Sequence, residues 1–509
     1  MRPPVRTAFA LLFAAHLAVA PALARQATAE PPRSERVAAL LPEVDKIYTD
    51  LAKEKHLPGV VWGVILDGKL IHTQSLGYAD VERKIPVTTS TRFRIASMTK
   101  NFVAMATLRL RDEGKLGLDD PVAKYLPELR KLQLPTADAP ALTIRQLMTM
   151  NTGLPEDNPW GDRQMALSNA ALEKFVGGGL SFSNAPGVQF EYSNLGYVML
   201  GKVVSKVAKM RFQEYITRNI LLPLGMKDTV WEYSTVADGK LALGYRWDNT
   251  AWVPEPILHD GDASAMGGLL TTMEDFARYV AFHLDAWPAR DGADTGPVKR
   301  ATVREMHQPR VFSGMAPNNT LQDGKTLNPR AGFYGYGLGW SRDSRDLVMI
   351  GHGGGLPGYG SQFQFAPQHG VAVMAFSNLR YGPVYGPTGR VLNLLVERAD
   401  LQPRAPVVTD ILLERQKQVV ELIQGWDEGL GARIAAENFF LDRSRAEWMA
   451  LVAEKVAHIG KVVTVGPLKA ENRLRGSFML EGERGKVNVW FSLTPEKEPK
   501  LQALEIKAP

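Results

Sequence analysis

The segment Phe93-Arg94-Ile95-Ala96-Ser97-Met98-Thr99-Lys100 sets a hydroxyl and a primary amine three residues apart. If Ser97 opens a helix, Lys100 lies over the same face, because positions i and i+3 are neighbours there. A serine hydroxyl is a poor nucleophile until a base removes its proton. Lysine serves as that base when burial lowers its pKa. Phe102, Val103, Ala104, Met105, Ala106 and Leu108 follow, apolar around most of a helix. Such a helix is buried and keeps Lys100 in a low-dielectric site. Its N-terminus also offers N–H groups and partial positive charge to a developing oxyanion. A serine at a helix start is more often an N-cap, and a lone Ser-x-x-Lys is weak. This is the only one in the sequence.

Two other segments carry matching chemistry. Tyr192-Ser193-Asn194 follows Pro186-Gly187 and precedes an apolar run. A tyrosine there can hydrogen-bond both Ser97 and Lys100 and share proton transfer, while Asn194 can aim its amide at a substrate carbonyl. The plainer reading is a packed tyrosine and a capping asparagine. Gly351-His352-Gly353-Gly354-Gly355 precedes a strand pair. Glycines let backbone approach a ligand closely, so an acyl oxygen can sit between the N–H groups of Gly355 and Ser97. The plainer reading is a turn with a surface histidine.

These residues need elements to hold them. A helix is expected over about Ser34–Glu54. Gly59–Leu66 and Lys69–His72 are β-rich runs joined by Asp67-Gly68, a strong hairpin signal because that pair tolerates positive φ. The stretch 97–235 reads as mostly helical, with helices from Ser97 to near Gly114 and from about Asn194 to Lys209. Strands return at Gly360–Phe365 and Val371–Phe376. Strands at both ends with helices between predict an α+β unit whose sheet is built from terminal strands, with a helical lobe inserted. The expected divisions are a flexible lead-in over 25–35, a main domain over 36–400, a linker over 401–408 containing Pro403 and Pro406, and a small α+β domain over 409–509. That last domain reads as helices to about 458 and then four short strands, with Val487, Val489, Phe491 and Leu493 alternating as a half-buried strand does.

In order, Ser97-x-x-Lys100, Tyr192-x-Asn194 and His352-x-Gly354 resemble the three motifs of class C β-lactamases, D-alanyl-D-alanine carboxypeptidases and related esterases. Leu142–Met148, Gly153-Leu154-Pro155, Pro223–Thr229, Ala265–Leu270 and Tyr336–Trp340 are similar as well, and the likeness covers roughly residues 36–395. Each piece is weak; the ordered set is strong. The resemblance implies a β-lactamase/transpeptidase-like fold, with Ser97 as nucleophile, Lys100 and Tyr192 as the base system, and Asn194 as a substrate contact. It places His352, Gly354 and Gly355 on the strand lining the site, with the N–H groups of Ser97 and Gly355 as oxyanion hole. It implies an acyl-enzyme. One departure matters. β-Lactamases and transpeptidases of this kind carry Lys where His352 stands, and an unperturbed histidine is mostly neutral at pH 7. The expectation moves from β-lactams towards esters, amides or D-amino-acid peptides, with 155–190 and 310–335 rimming the pocket.

Composition narrows the remaining classes. The chain has 509 residues, is 45% hydrophobic and 22% charged, and carries a formal charge of +6 spread along its length. No Lys/Arg block suggests nucleic acid. Arg2 and Arg6, the apolar run Ala8–Ala20 and Ala22-Leu23-Ala24 read as a signal peptide over 1–24, giving a periplasmic or secreted protein without a stable membrane anchor. With no cysteine there are no disulfides and no thiol catalysis. The nine histidines lack ligand spacing, so no metal or other cofactor is expected. The expected partner is a small ester, amide or short peptide, with cell-wall material as one source. Three readings compete less well. His352–Gly355 imitates a lipase oxyanion loop, but the Gly-x-Ser-x-Gly elbow is missing. Gly196–Lys202 imitates a phosphate loop, but Val203 replaces the needed Ser/Thr. A silent binding protein is the last alternative, because fold does not guarantee function.

Overall fold

The computed structural model describes residues 31–321 and 323–508. The expected signal peptide, and residues 25–30 of the expected lead-in, lie outside the described residues. Residues 33–35 of that lead-in are helical: Arg33–Ala38 forms a short helix, and Leu41–Glu54 (α1) follows as a separate one. The single helix expected from Ser34 is therefore broken. Pro42 sits in the first turn of α1, where its missing N–H costs nothing, and the chain breaks just before it.

A nine-stranded antiparallel sheet forms the body. In chain order its strands are β1 (Gly59–Leu66), β2 (Lys69–Asp80), β3 (Ile85–Pro86), β4 (Val311–Ala316), β5 (Arg330–Tyr334), β6 (Gly339–Asp343), β7 (Val348–Leu356), β8 (Tyr359–Ala366) and β9 (Val371–Ser377). Their spatial order is β3-β2-β1-β9-β8-β7-β6-β5-β4. The β1–β2 hairpin turns on Asp67 (φ +48°) and Gly68 (φ +78°), the two positive angles of a type I′ turn. The early and late strands of the sheet meet where β1 pairs β9, from Val60 opposite Ser377 to Leu66 opposite Val371. Everything between β3 and β4 is inserted as a lobe.

The sheet is covered on both faces, so β1 is buried at every position. Val60, Trp62 and Val64 face α1 and the helix Tyr385–Arg398, whereas Val61 and Ile65 face the lobe. The lobe centres on the helix Thr99–Asp112 (α2), flanked by Asn194–Ala208 (α3) and Met273–Asp285 (α4). Phe102 stacks on Tyr279 at 4.1 Å between ring centres, and Phe276 meets Phe363 and Phe376 of the sheet at 5.1 and 5.6 Å. Such pairs contribute about 1 kcal/mol each beyond their buried area. They fix α2 against the sheet.

A third core draws only on residues from Leu412 to Ile506. Four helices between Asp410 and Ile459 precede a five-stranded sheet, one strand more than the sequence suggested. Val487, Val489, Phe491 and Leu493 are its inward positions.

Candidate active site

Ser97 does not open an α-helix. It lies in a 3-10 turn, Ala96–Met98, and the α-helix begins at Thr99. The turn is sharp because Ala96 has φ +49°, a left-handed conformation that costs a residue with a Cβ roughly 1–2 kcal/mol. It is tied down on several sides. The Ile95 N–H donates to Leu269 O at 3.0 Å, the Leu269 N–H donates to Thr99 Oγ1 at 3.1 Å, and Ser361 Oγ of β8 donates to Ile95 O at 2.8 Å.

Lys100 is fully buried. Its Nζ lies 3.0 Å from Ser97 Oγ, 2.7 Å from Asn194 Oδ1 and 2.6 Å from Met266 O. Those three acceptors use all three N–H bonds of the ammonium. Burial lowers its pKa to about 7, against the opposing charges of Asp162 and Asp157. A neutral amine at this point keeps donors for Asn194 and Met266 and turns its lone pair to the Ser97 hydroxyl. That is the geometry of proton removal.

The Tyr192 ring sits with its centre 5.0 Å from Lys100 Nζ, and its hydroxyl hydrogen-bonds Ser97. Burial pushes the phenol far above its usual range, so it stays protonated beside the amine. Asn194 is buried, with Oδ1 on Lys100 and Nδ2 donating to Asn158 Oδ1 at 2.9 Å. Its amide thus faces the base and the loop before α3.

Two carboxyls went unnoticed in the sequence. Asp157 accepts from the N–H groups of Asn194 (2.6 Å) and Leu195 (2.9 Å), complementing the N-terminus of α3. Burial raises its pKa. Asp162 is pushed up to about 6 by burial and accepts from the Tyr381 hydroxyl at 2.9 Å. No spacing rule marks either: they flank the one-turn helix Asn158–Gly161, and their contacts with Asn194, Leu195 and Tyr381 are long-range.

His352 stands on β7 and is buried. Its Nδ1 is 2.5 Å from Gly353 O and its Nε2 is 2.9 Å from the Tyr334 hydroxyl. The carbonyl can only accept, so Nδ1 carries the proton and Tyr334 donates to Nε2. Burial, with the nearby charge of Lys100, lowers the imidazole to about 4. The neutral ring is fixed across the working range. Gly354 runs against the Ser97 turn: a Cβ there would lie 2.2 Å from Ile95 O and 2.4 Å from Ser361 Oγ. A Cβ at Gly355 would lie 2.7 Å from the Tyr381 ring.

The fold thus brings Ser97, Lys100, Tyr192 and Asn194 together, with His352 and Gly354 on the adjoining strand. Gly196 and Lys202, which imitated a phosphate loop, lie in α3, where Lys202 pairs with Glu128 and Glu173 at 2.6 and 2.8 Å. Among the described residues no cluster of acidic or histidine side chains is arranged to hold a metal ion, and no helix is long and apolar enough to cross a membrane.

Known proteins are similar to this chain over most of its length. The chain is similar to Protein flp of Staphylococcus aureus (strain MW2), 28% identical over 350 residues, covering 67% of this chain and 64% of that protein. It is also similar to Beta-lactamase-like protein 2 of Dictyostelium discoideum, 27% identical over 388 residues, covering 73% of this chain and 66% of that one. The chain therefore spans just under two thirds of these relatives' length. The octameric penicillin-binding protein homologue from Pyrococcus abyssi shares the fold, with a TM-score of 0.60 at 21% identity, over 91% of this chain and 93% of that one. The family model described as Beta-lactamase matches residues 44–398, the span that contains the nine-stranded sheet and the inserted lobe. The chain belongs to the β-lactamase family.

Proposed function

We propose that this protein is an acyl-serine hydrolase acting on esters, amides or D-amino-acid peptides. The observation that carries this reading is the buried Lys100 amine, 3.0 Å from Ser97 Oγ, with its pKa lowered to about 7. In the first half-reaction the neutral amine takes the Ser97 proton while Oγ attacks the substrate carbonyl. The oxyanion sits between the N–H groups of Ser97 and Gly355. Its collapse breaks the ester or amide bond. The departing alkoxide or amine receives the proton from Lys100, relayed by the Tyr192 hydroxyl, and the acyl group stays on Ser97. In the second half-reaction a water gives its proton to the same pair, attacks the acyl carbonyl and frees the acid, and Ser97 recovers its hydrogen.

His352 bears on substrate choice. A neutral imidazole held between Gly353 and Tyr334 offers no permanent charge to a β-lactam carboxylate. Hydrolysis of β-lactams is accordingly weak in this reading. The leader-like residues 1–24 favour action outside the cytoplasm, where cell-wall peptides are available substrates.

Intact-mass measurement after brief mixing with a chromogenic ester, a D-amino-acid amide and a chromogenic cephalosporin tests the proposal. The expected result is an acyl adduct with the ester or the amide, absent in Ser97→Ala. Turnover that persists in that variant removes Ser97 from the reaction. Binding of peptide with no adduct from any of the three favours a silent binding protein.

A further inference from the structure

β7 is paired unevenly. On one side it meets β8 from Ile350 to Leu356, whereas on the other the pairing with β6 stops at Gly339 opposite Gly351. Among the described residues, His352 to Leu356 therefore keep one edge free of any strand, and Gly354 of this stretch lies against the Ser97 turn. A substrate whose carbonyl oxygen sits between the N–H groups of Ser97 and Gly355 sends its two substituents opposite ways along that edge. The leaving group takes its proton by way of Tyr192, whose ring centre stands 6.2 Å from that of His352, so it lies at the His352 end. The acyl substituent is left with the end at Gly355 and Leu356.

Tyr381 stands at that end. Its N–H donates to Leu356 O at 3.2 Å, and its ring covers Gly355 so closely that a Cβ there would lie 2.7 Å from Cδ1 and 3.5 Å from Cε1. Its hydroxyl crosses to the lobe and donates to Asp162 Oδ2 at 2.9 Å. Asp162 closes the one-turn helix Asn158–Gly161, and Gly161 packs on Asn194, where a Cβ would lie 2.9 Å from the Asn194 Cβ. One phenol thus links the strand carrying Gly355 to the wall of the lobe that carries Asn194, an acceptor for Lys100. Its backbone, at φ +47°, is in the left-handed region that a residue with a Cβ seldom enters. Strained backbone of this kind is kept by its surroundings and clusters at ligand clamps. The side chain is nevertheless exposed, so moving it gives up one hydrogen bond and little buried surface.

We propose that Tyr381 is a specificity-determining residue for the acyl group: its ring, tethered to Asp162, closes the acyl end of the cleft, and a broad acyl group binds only by pushing it aside. A slim acyl group fits beneath the ring with the tether intact. A broad one must break the bond to Asp162 before its carbonyl reaches Ser97, and that cost falls on binding. The inference rests on Ser97 being the acylated residue, and it deepens that reading by naming what limits the acyl group.

Stopped-flow release of nitrophenol from the nitrophenyl esters of acetic, butyric and benzoic acid separates binding from acylation. The quantity read is the dissociation constant of the benzoate relative to that of the acetate. In Tyr381→Gly, where glycine takes the positive φ without strain, this ratio is expected to fall at least tenfold below the parent's, with the butyrate moving less. Tyr381→Phe keeps the ring but gives up the tether, and is expected to fall between the two. An unchanged ratio in Tyr381→Gly overturns the assignment, and a parental ratio in Tyr381→Phe overturns the tether. Acetates of nitrophenol and of a broader, fluorescent phenol vary the leaving group alone, and their ratio is expected to be the same in parent and Tyr381→Gly. A shift confined to that second pair puts Tyr381 at the leaving-group end and overturns the proposal as well. Intact mass after nitrophenyl acetate separates the two readings: if Ser97 is acetylated while the benzoate-to-acetate ratio stays put, only the role of Tyr381 fails. If no adduct forms, the hydrolase reading fails first.

Discussion

Gly354 and Ile95 touch through backbone alone: a side chain at Gly354 would bring its first carbon within 2.2 Å of the Ile95 carbonyl oxygen. That carbonyl also accepts from Ser361, and one residue on, the chain makes the left-handed turn that presents Ser97. The third sequence motif therefore sets the position of the first.

Gly354→Ala forces the turn and β7 apart. Overpacking of this kind costs about 1–3 kcal/mol, and because neither strand nor turn can yield cheaply, Ser97 moves with it. The expected outcome is a fall of a hundredfold or more in kcat/KM together with a lower melting temperature. Gly354→Ala with parental activity would show that the contact does not position Ser97.

In the proposed mechanism Lys100 acts as the neutral amine, so kcat/KM for a neutral ester is expected to rise with pH through about 7 and then level. Asp162 helps keep the proton on that amine. Asp162→Asn removes the carboxylate, lowers the lysine pKa further and moves the rising limb to lower pH. A limb that stays in place or moves upward would deny the coupling.

Tyr192→Phe deletes a hydroxyl that hydrogen-bonds Ser97 while keeping the ring against the Lys100 amine. Loss of one proton-transfer group typically costs about 10²–10⁴ in rate. The expectation is a slower kcat with KM little altered, and an acyl adduct that still forms on long incubation. Stopped-flow release of a chromogenic leaving group measures it.

Acid should weaken the fold before it protonates most of the carboxylates. His283 Nδ1 and His307 Nε2 lie 2.7 Å apart in the core, and Trp287 donates to His307 Nδ1 at 2.8 Å. Burial lowers His283 to about 3 and His307 well below its usual value. Both are neutral when folded and protonate readily when unfolded, so their contribution is complete above about pH 6.5 and declines as pH falls below it. The loss is about 1 kcal/mol per histidine per pH unit. Urea unfolding at pH 7.5 and 5.5 reads the slope, and His307→Gln should flatten it.

The sequence made the hairpin, the terminal strands and the three motifs legible, because each rests on local chemistry: Asp67-Gly68 for the turn, alternation for the strands, spacing for Ser97 and Lys100. The 3-10 turn at Ser97 was not legible, since Ala96 adopts positive φ only under restraint from Leu269 and Ser361. Asp157 and Asp162 were hidden for a related reason. Their significance comes from being carried next to Lys100 by a one-turn helix too short to show periodicity.

Tyr381 leaves the end of the sheet at φ +47°, remains 45% exposed, and reaches across to donate to Asp162 of the lobe. An acyl group broad enough to displace this phenol strips Asp162 of a donor that helps it stay ionised, and the carboxyl then takes up a proton more readily. With less negative charge beside it, Lys100 gives up its own proton more easily. Filling the cleft and arming the base become one event, and a ligand too slim to move Tyr381 leaves the amine less prepared to act.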